Sequence, residues 1–368
     1  MGSSVIAIME KQNWLILGGV GYIGRNLVKL LVDEEVAASI VIVDKSIPEM
    51  SHFHPMHLEA FSHPSVRRLQ VDLSRDPSAA FQPPPNIIVN LAGETRPALP
   101  DIKYQQNTLR VVERCLPLVT PEMRWIEVST AQVYAPNTRP ATETALLAPS
   151  SRIAHWRLEC ERAIAGLNHV ILRPGIVYGL GDFTGISKLY SAPRLIIGTV
   201  YQQLREKMRV PWVKDLPQHT VHVEDLCRAI VLATQAVPGS VLNVADSGDT
   251  RLKTLTTLME QIFGIRVDYL SGILRKLADT AAATVCEEAN EKHMGPWTDM
   301  CSSQGVNTPL SPFLELEDMR GIPIALDSSR LVSLGWRPHH PAVTRAALVQ
   351  QVDMLVAAGA WPQVQIHT

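Results

Sequence analysis

Residues 15–24 read Leu-Ile-Leu-Gly-Gly-Val-Gly-Tyr-Ile-Gly, between an apolar run at Trp14–Leu17 and an amphipathic helical pattern at Arg25–Glu35. Three glycines three residues apart, Gly18, Gly21 and Gly24, thus join a short strand to a helix. Glycine permits the tight turn and lets backbone approach a pyrophosphate. The helix behind it offers unpaired N–H groups and the positive end of its dipole. Tyr22 and Ile23, between the last two glycines, are counted with this site. Asp44 ends the next apolar run, 20 residues beyond Gly24. A carboxylate there accepts hydrogen bonds from the adenosine ribose hydroxyls and repels a 2′-phosphate, which favours NAD over NADP. Strand, turn, helix and acid together predict a dinucleotide site.

The first half continues that rhythm. Ser39–Val43, Arg68–Val71, Asn86–Leu91, Arg124–Val128 and His169–Leu172 read as strands. Gln105–Leu116 and Ser151–Ala165 read as helices. Alternation of this kind predicts an α/β fold with a Rossmann-type, doubly wound parallel sheet. We expect a dinucleotide-binding domain over 12–180, with further strands from about 220–245. A smaller mixed substrate or lid region follows over 181–368. Within it, the polar stretch 278–322 carries Pro296, Pro309 and Pro312 and reads as an irregular insertion; His293 and Trp297 in it are candidates to cover a substrate. Val343–Ala358 reads as a closing helix.

Composition narrows the function classes. The formal net charge is −2, with no basic stripe, so neither nucleic acid nor an anionic membrane is expected as partner. Met1–Asn13 has no long apolar stretch, and no run reaches the roughly 20 apolar residues of a membrane span. The five cysteines lack metal-ligand or redox spacing. Reduced thiols, a cytoplasmic location and no metal are the expectation. His52, His54 and His57 are clustered, yet their spacing on a loop is a weak metal signal.

Several segments, in order, resemble the extended short-chain dehydrogenase/reductase group, the epimerase/dehydratase family. Val71-Asp72-Leu73 resembles its adenine-contacting strand end, and Asn90-Leu91-Ala92-Gly93 its fourth-strand motif lining the cofactor. Asn107 resembles the helix asparagine that supports the active site. Ser129-Thr130-Ala131-Gln132-Val133-Tyr134, Leu172-Arg173-Pro174-Gly175-Ile176-Val177-Tyr178-Gly179, Val221-His222-Val223-Glu224-Asp225-Leu226, Leu242-Asn243-Val244 and Leu334-Gly335-Trp336-Arg337-Pro338 match later segments. The resemblance implies NAD as cofactor, held by Gly18, Gly21, Tyr22, Ile23, Gly24, Asp44, Asp72, Leu91, Ala92 and Arg157. It also implies a small-molecule substrate whose oxygen Thr130 orients, and pairing into a homodimer through a helical bundle. It makes His222 and Asp225 part of a structural strand-to-helix segment rather than a catalytic pair.

One departure stands out. The group carries a Tyr-x-x-x-Lys pair on the helix after the Val-Tyr segment, where four-residue spacing puts both side chains on one face. The ammonium lowers the phenol's pKa so that it exchanges a proton near neutral pH. Here Ile153 stands in the Tyr slot and Arg157 in the Lys slot. None of Tyr22, Tyr104, Tyr134, Tyr178, Tyr190, Tyr201 and Tyr269 has Lys four residues later. Isoleucine carries no proton and Arg stays charged. Three readings follow. Another side chain, Glu94 or His155, supplies the proton to an oxidoreductase or epimerase/dehydratase. Alternatively, the scaffold performs redox-neutral isomerisation or cyclisation, with Thr130, Glu94 and Arg157 polarising the substrate. The third reading is a non-catalytic nucleotide-binding subunit.

Overall fold

The short Val-, Ile- and Leu-rich runs are the composition of strands covered on both faces, and they assemble that way. A computed structural model describes residues 11–48, 51, 53–182, 192–271 and 280–367. Its first strands are β1 (Gln12–Leu17), β2 (Ala37–Asp44), β3 (Val66–Gln70) and β4 (Ile87–Asn90). They are followed by β5 (Arg124–Val128), β6 (His169–Pro174), β7 (Ile176–Tyr178), β8 (Met208–Val210), β9 (Thr220–His222), β10 (Ser240–Val244) and β11 (Val267–Tyr269). Seven of them form one parallel sheet in the order β10-β6-β5-β4-β1-β2-β3. The order reverses between β1 and β4. A crevice opens above the carboxyl ends of strands at such a point, and ligands bind there. β9 stays outside the main sheet and pairs with β7, so only β10 of the later strands extends it.

Helices α1 (Tyr22–Asp33), α2 (Pro55–Phe61) and α7 (Val223–Ala233) cover one face, burying Leu27, Leu31 and Ile230 against Ile16, Ile42 and Val89. On the other face, α4 (Arg110–Cys115) and α5 (Arg152–Ala163) bury Val112, Cys115 and Cys160 against Leu15, Ile88 and Trp125. The expected single helix at 105–116 is divided. A short α3 (Asp101–Tyr104) runs into a wider π-type turn, Gln105–Leu109, before α4 begins. Such turns often mark functional sites, and Asn107 lies in this one.

The second lobe packs α6 (Ala192–Leu204), α8 (Leu252–Phe263), α9 (Ala282–Ser303) and α11 (Arg345–Ala357), whereas a short α10 (Ser329–Ser333) returns to the sheet and buries Leu331 in the core beneath α1 and α7. Here the expectation of an irregular insertion at 278–322 is corrected. Much of it is α9, 22 residues long with Pro296 inside. Its buried positions, Cys286, His293, Trp297, Met300 and Cys301, recur at helical spacing, so burial overrides the proline. His293 and Trp297 therefore belong to the lobe's core, Trp297 against Trp361 at 5.4 Å and His293 against Tyr201 at 5.5 Å. The part from 305 to 322 is irregular and is strapped to α9. Asn290 Nδ2 donates to Leu314 O at 2.9 Å, Asn290 Oδ1 accepts from Leu314 N at 2.7 Å, and Trp297 Nε1 donates to Leu310 O at 3.2 Å.

Candidate functional site

The crevice is a cavity of about 930 Å³ that runs from the glycine turn to the second lobe. At one end backbone geometry dictates the residues. Gly18 has φ +77°, and a Cβ on it would lie 2.7 Å from Ala92 N, so the turns after β1 and β4 touch there. A Cβ on Gly24 would lie 2.6 Å from the Gly19 backbone, which brings α1 close to the strand end. Gly21 caps α1 with no side chain in the way, leaving the first amides open to an anion.

Asp44 closes this end. Its Oδ2 accepts from Val20 N at 3.2 Å and its Oδ1 from Ser46 N at 3.0 Å, while burial raises its pKa above the usual carboxylate range. Asp72 lines the same end, its Oδ1 accepting from Ser74 Oγ at 2.7 Å. Gly18, Gly21, Tyr22, Ile23, Gly24, Asp44, Asp72, Leu91, Ala92 and Arg157 all border the cavity. This cradle fits a dinucleotide: a Cβ-free turn for pyrophosphate, and a carboxylate one strand away for ribose hydroxyls.

At the other end side chains decide. Thr130 heads a tight turn after β5 and its Oγ1 accepts from Gln132 N at 3.3 Å. Ser151 caps α5; its Oγ accepts from Ala154 N at 3.2 Å and donates to Gln132 Oε1 at 2.8 Å. That fixes the Gln132 amide with its Nε2 as the remaining donor. Ser129 Oγ is buried without a hydrogen-bond partner among the described residues. Ile153 and Arg157, four apart on α5, both border the cavity, and so do Ser129, Thr130, Gln132, Ser150 and Ser151.

Arg157 is buried. Its Nη1 donates to Ala92 O at 2.8 Å and lies 3.7 Å from Glu127 Oε1. A Cβ on Gly93 would sit 2.6 Å from Arg157 Nη2, so the guanidinium fills the floor beneath that turn. Glu127, in β5, is fully buried and accepts from Asn90 Nδ2 at 2.8 and 3.0 Å and from Trp125 Nε1 at 2.9 Å. Burial pushes its carboxyl up to about 7, against the opposing pull of Arg157.

Two candidates for the missing proton change standing. Glu94 borders the cavity, but Arg96 grips both its oxygens at 2.9 and 2.8 Å and Asn107 Nδ2 donates to it at 3.0 Å. The Arg96 hydrogen bonds hold its carboxyl down at about 2, so it carries no proton near neutral pH. His155 is exposed, edge-on to Trp156 at 5.2 Å, and does not border the cavity.

Elsewhere, His57 is buried against Asn26 Oδ1 at 3.3 Å, and His54 caps α2 through Met56 N at 3.4 Å; His52, like Tyr190, lies outside the described residues. Asp225 accepts from His339 N at 2.7 Å and His340 N at 2.8 Å, anchoring the C-terminal Trp336–His340 segment to α7. Sequence reasoning passed over Glu127, Gln132 and Ser151. A carboxylate inside the apolar strand Arg-Trp-Ile-Glu-Val and a serine heading a helix were the available signals.

A seven-stranded parallel sheet with a glycine turn at its switch point defines a Rossmann-type dinucleotide-binding protein with a second lobe closing the crevice. Residues 14–245 match the family model described as NAD dependent epimerase/dehydratase family, and the chain belongs to that family. No curated protein matches the sequence. A UDP-N-acetylglucosamine 4-epimerase from Methanobrevibacter ruminantium superposes with TM-score 0.68 at 18% identity, over 95% of this chain and 99% of that one. A UDP-glucuronic acid 4-epimerase from Bacillus cereus, in complex with UDP-glucuronic acid and NAD, gives 0.66 at 17%, over 94% and 99%. A Thermus thermophilus UDP-glucose 4-epimerase in complex with NAD gives 0.63 at 17%, over 94% and 99%. At these identities the likeness is one of fold. No helix among the described residues is long and apolar enough to cross a membrane.

Proposed function

We propose that this protein binds NAD together with a small hydroxyl- or carbonyl-bearing molecule and acts on that group as an atypical oxidoreductase or epimerase/dehydratase. The observation that carries the reading is the shared cavity. Gly18, Gly21 and Asp44 line one end, and Thr130, Gln132, Ile153 and Arg157 the other. Bound NAD supplies a hydride acceptor. The chain's own residues bind and orient. Thr130 Oγ1 accepts from Gln132 N–H, and its own O–H is the donor for a substrate oxygen. Gln132, its carbonyl held by Ser151, offers Nε2–H beside it. Two neutral donors stabilise charge developing on that oxygen. With Ile153 in the cavity and Glu94 locked as a carboxylate, the substrate proton leaves through water in the crevice rather than through a phenol.

The test begins with calorimetric titration of NAD, NADH and NADP into cofactor-stripped protein, beside Gly21→Glu and Asp44→Ala. NAD binding abolished by Gly21→Glu, and weakened about tenfold or more by Asp44→Ala through lost charge-assisted hydrogen bonds, is expected. Absence of dinucleotide binding to folded wild type overturns the reading. Compounds with oxidisable hydroxyls are then screened by hydride absorbance, starting with the UDP-sugars bound by the similar structures.

Ile153 in the cavity also favours a second reading, redox-neutral isomerisation. Turnover that survives removal of the cofactor would select it.

A further inference from the structure

Glu127 lies between Ile126 and Val128 in the middle of the sheet, with no solvent exposure. A buried carboxylate is costly unless it is paired and hydrogen-bonded. Asn90, Trp125 and Arg157 provide that pairing. The neighbouring carboxylates are engaged elsewhere: Glu161 accepts from Arg173 Nε at 3.0 Å, and Glu94 holds Arg96. Among the described residues, Glu127 is therefore the counterion of Arg157. The guanidinium itself is held by the Ala92 carbonyl and, at 3.5 Å, the Leu91 carbonyl, so it stays beneath the Leu91–Gly93 turn whatever happens to its counterion. Arginine, unlike a buried lysine, does not shed its charge. A fixed counterion is what cancels a charge placed there.

That charge borders the same cavity as the glycine turn and Asp44, beneath the Leu91–Gly93 turn and on the side lined by Thr130 and Ile153, where the NAD-binding reading puts the nicotinamide half of the dinucleotide. Oxidised nicotinamide carries a positive charge that the reduced ring lacks, while the rest of the two molecules is identical. A residue that sets the local charge therefore moves the two affinities apart, and one that only shapes the pocket moves them together.

We propose that Glu127 is a positioning residue whose carboxylate neutralises Arg157 and thereby sets the preference of this pocket for the oxidised over the reduced dinucleotide. The inference rests on the NAD-binding reading above. It is tested on the full chain freed of cofactor, by calorimetric titration of NAD and NADH into wild type, Glu127→Gln and the double variant Glu127→Gln/Arg157→Gln.

In Glu127→Gln the cation is left uncancelled, and the ratio of NADH to NAD affinity rises about tenfold, the scale of one charge acting over several ångströms in a partly buried site. In the double variant both charges are gone and the ratio returns to that of wild type. Equal loss of affinity for both forms in Glu127→Gln overturns the proposal, as does a shifted ratio that persists in the double variant. Wild type that binds neither form sinks the NAD-binding reading itself, which is known before any variant is compared.

Should Glu127→Gln fail to fold, wild type at about pH 6 and about pH 8.5 carries the test, because protonating Glu127 shifts the ratio in the same direction. The groups facing Glu127 are Arg157, Cys160 and Glu161 from α5 and Cys115 from α4, with Asn90 and Trp125 as uncharged partners. No histidine borders the cavity among the described residues. An unchanged ratio between those two pH values overturns the proposal.

Discussion

At the Gly18–Asp44 end of the cavity the backbone makes the site, whereas at the Thr130–Arg157 end side chains make it. The glycine end is a matter of clearance. A methyl group at Gly18 or Gly24 would meet backbone atoms under 3 Å away, and no rearrangement of a flexible side chain relieves that. The other end has the same frame, with α5 and the turn after β5 both lining the cavity, and the side chain one turn before Arg157 there is an isoleucine. On the function proposed above, binding and proton transfer are thus separable: the first depends on the path of the chain and the second on side chains at the far end of the cavity.

The most severe way to break that comparison is Gly18→Val. Positive φ and contact with Ala92 both forbid the side chain, so NAD affinity is expected to fall more than about 100-fold in calorimetry, with a lower melting temperature. Retained affinity would show that the backbone end is not the dinucleotide cradle.

Ile153→Tyr sharpens the comparison from the other side. It puts a phenol on the Arg157 face of α5. A positioned general acid contributes about 10²–10⁴-fold, and a gain toward the lower end of that range in hydride transfer is expected with a compound found to be turned over. No change in turnover would show that proton transfer does not limit the reaction.

The smallest effect expected is at Glu94. Its carboxyl is depressed in the folded protein, so its ion pair adds stability above the ordinary carboxylate range. That stability is lost as pH falls toward about 2. Glu94→Gln should lower stability near neutral pH by about 1 kcal/mol, discounted for the exposure of Arg96, with the difference from wild type vanishing in acid. Denaturant titrations at several pH values check this. In Glu94→Gln the pH profile of any activity should keep the wild-type shape between about pH 5 and about pH 9, because Glu94 does not titrate there.

What the sequence revealed follows the same division. β1, the glycine turn, α1 and Asp44 are local, each within a few residues of its signal, and they were legible. So was the placing of Ile153 and Arg157 on one face of α5, because helical spacing alone puts them there. Glu127 was not, since its meaning depends on Arg157 thirty positions later and on Asn90 from another strand. Glu94 was legible as a candidate acid or base that could equally be a partner of Arg96, and what decides for the latter is a local turn together with Asn107 from a widened helical turn. In α9, Pro296 and the polar residues around it masked the buried stripe of Cys286, His293, Trp297 and Met300.

The irregular stretch after α9 contributes Pro309, Glu317, Asp318, Arg320, Gly321 and Ile322 to the cavity wall, yet none of the sheet's strands draws on it. It is fastened to α9 through Leu310 and Leu314, and to the neck between the lobes where Ile324 N donates to Pro217 O and Ile324 O accepts from His219 N, both at 2.9 Å. In engineering terms this is a replaceable panel: rewriting its loop reshapes the cavity wall while the hydrogen bonds of Asp44 and Asp72 stay as they are.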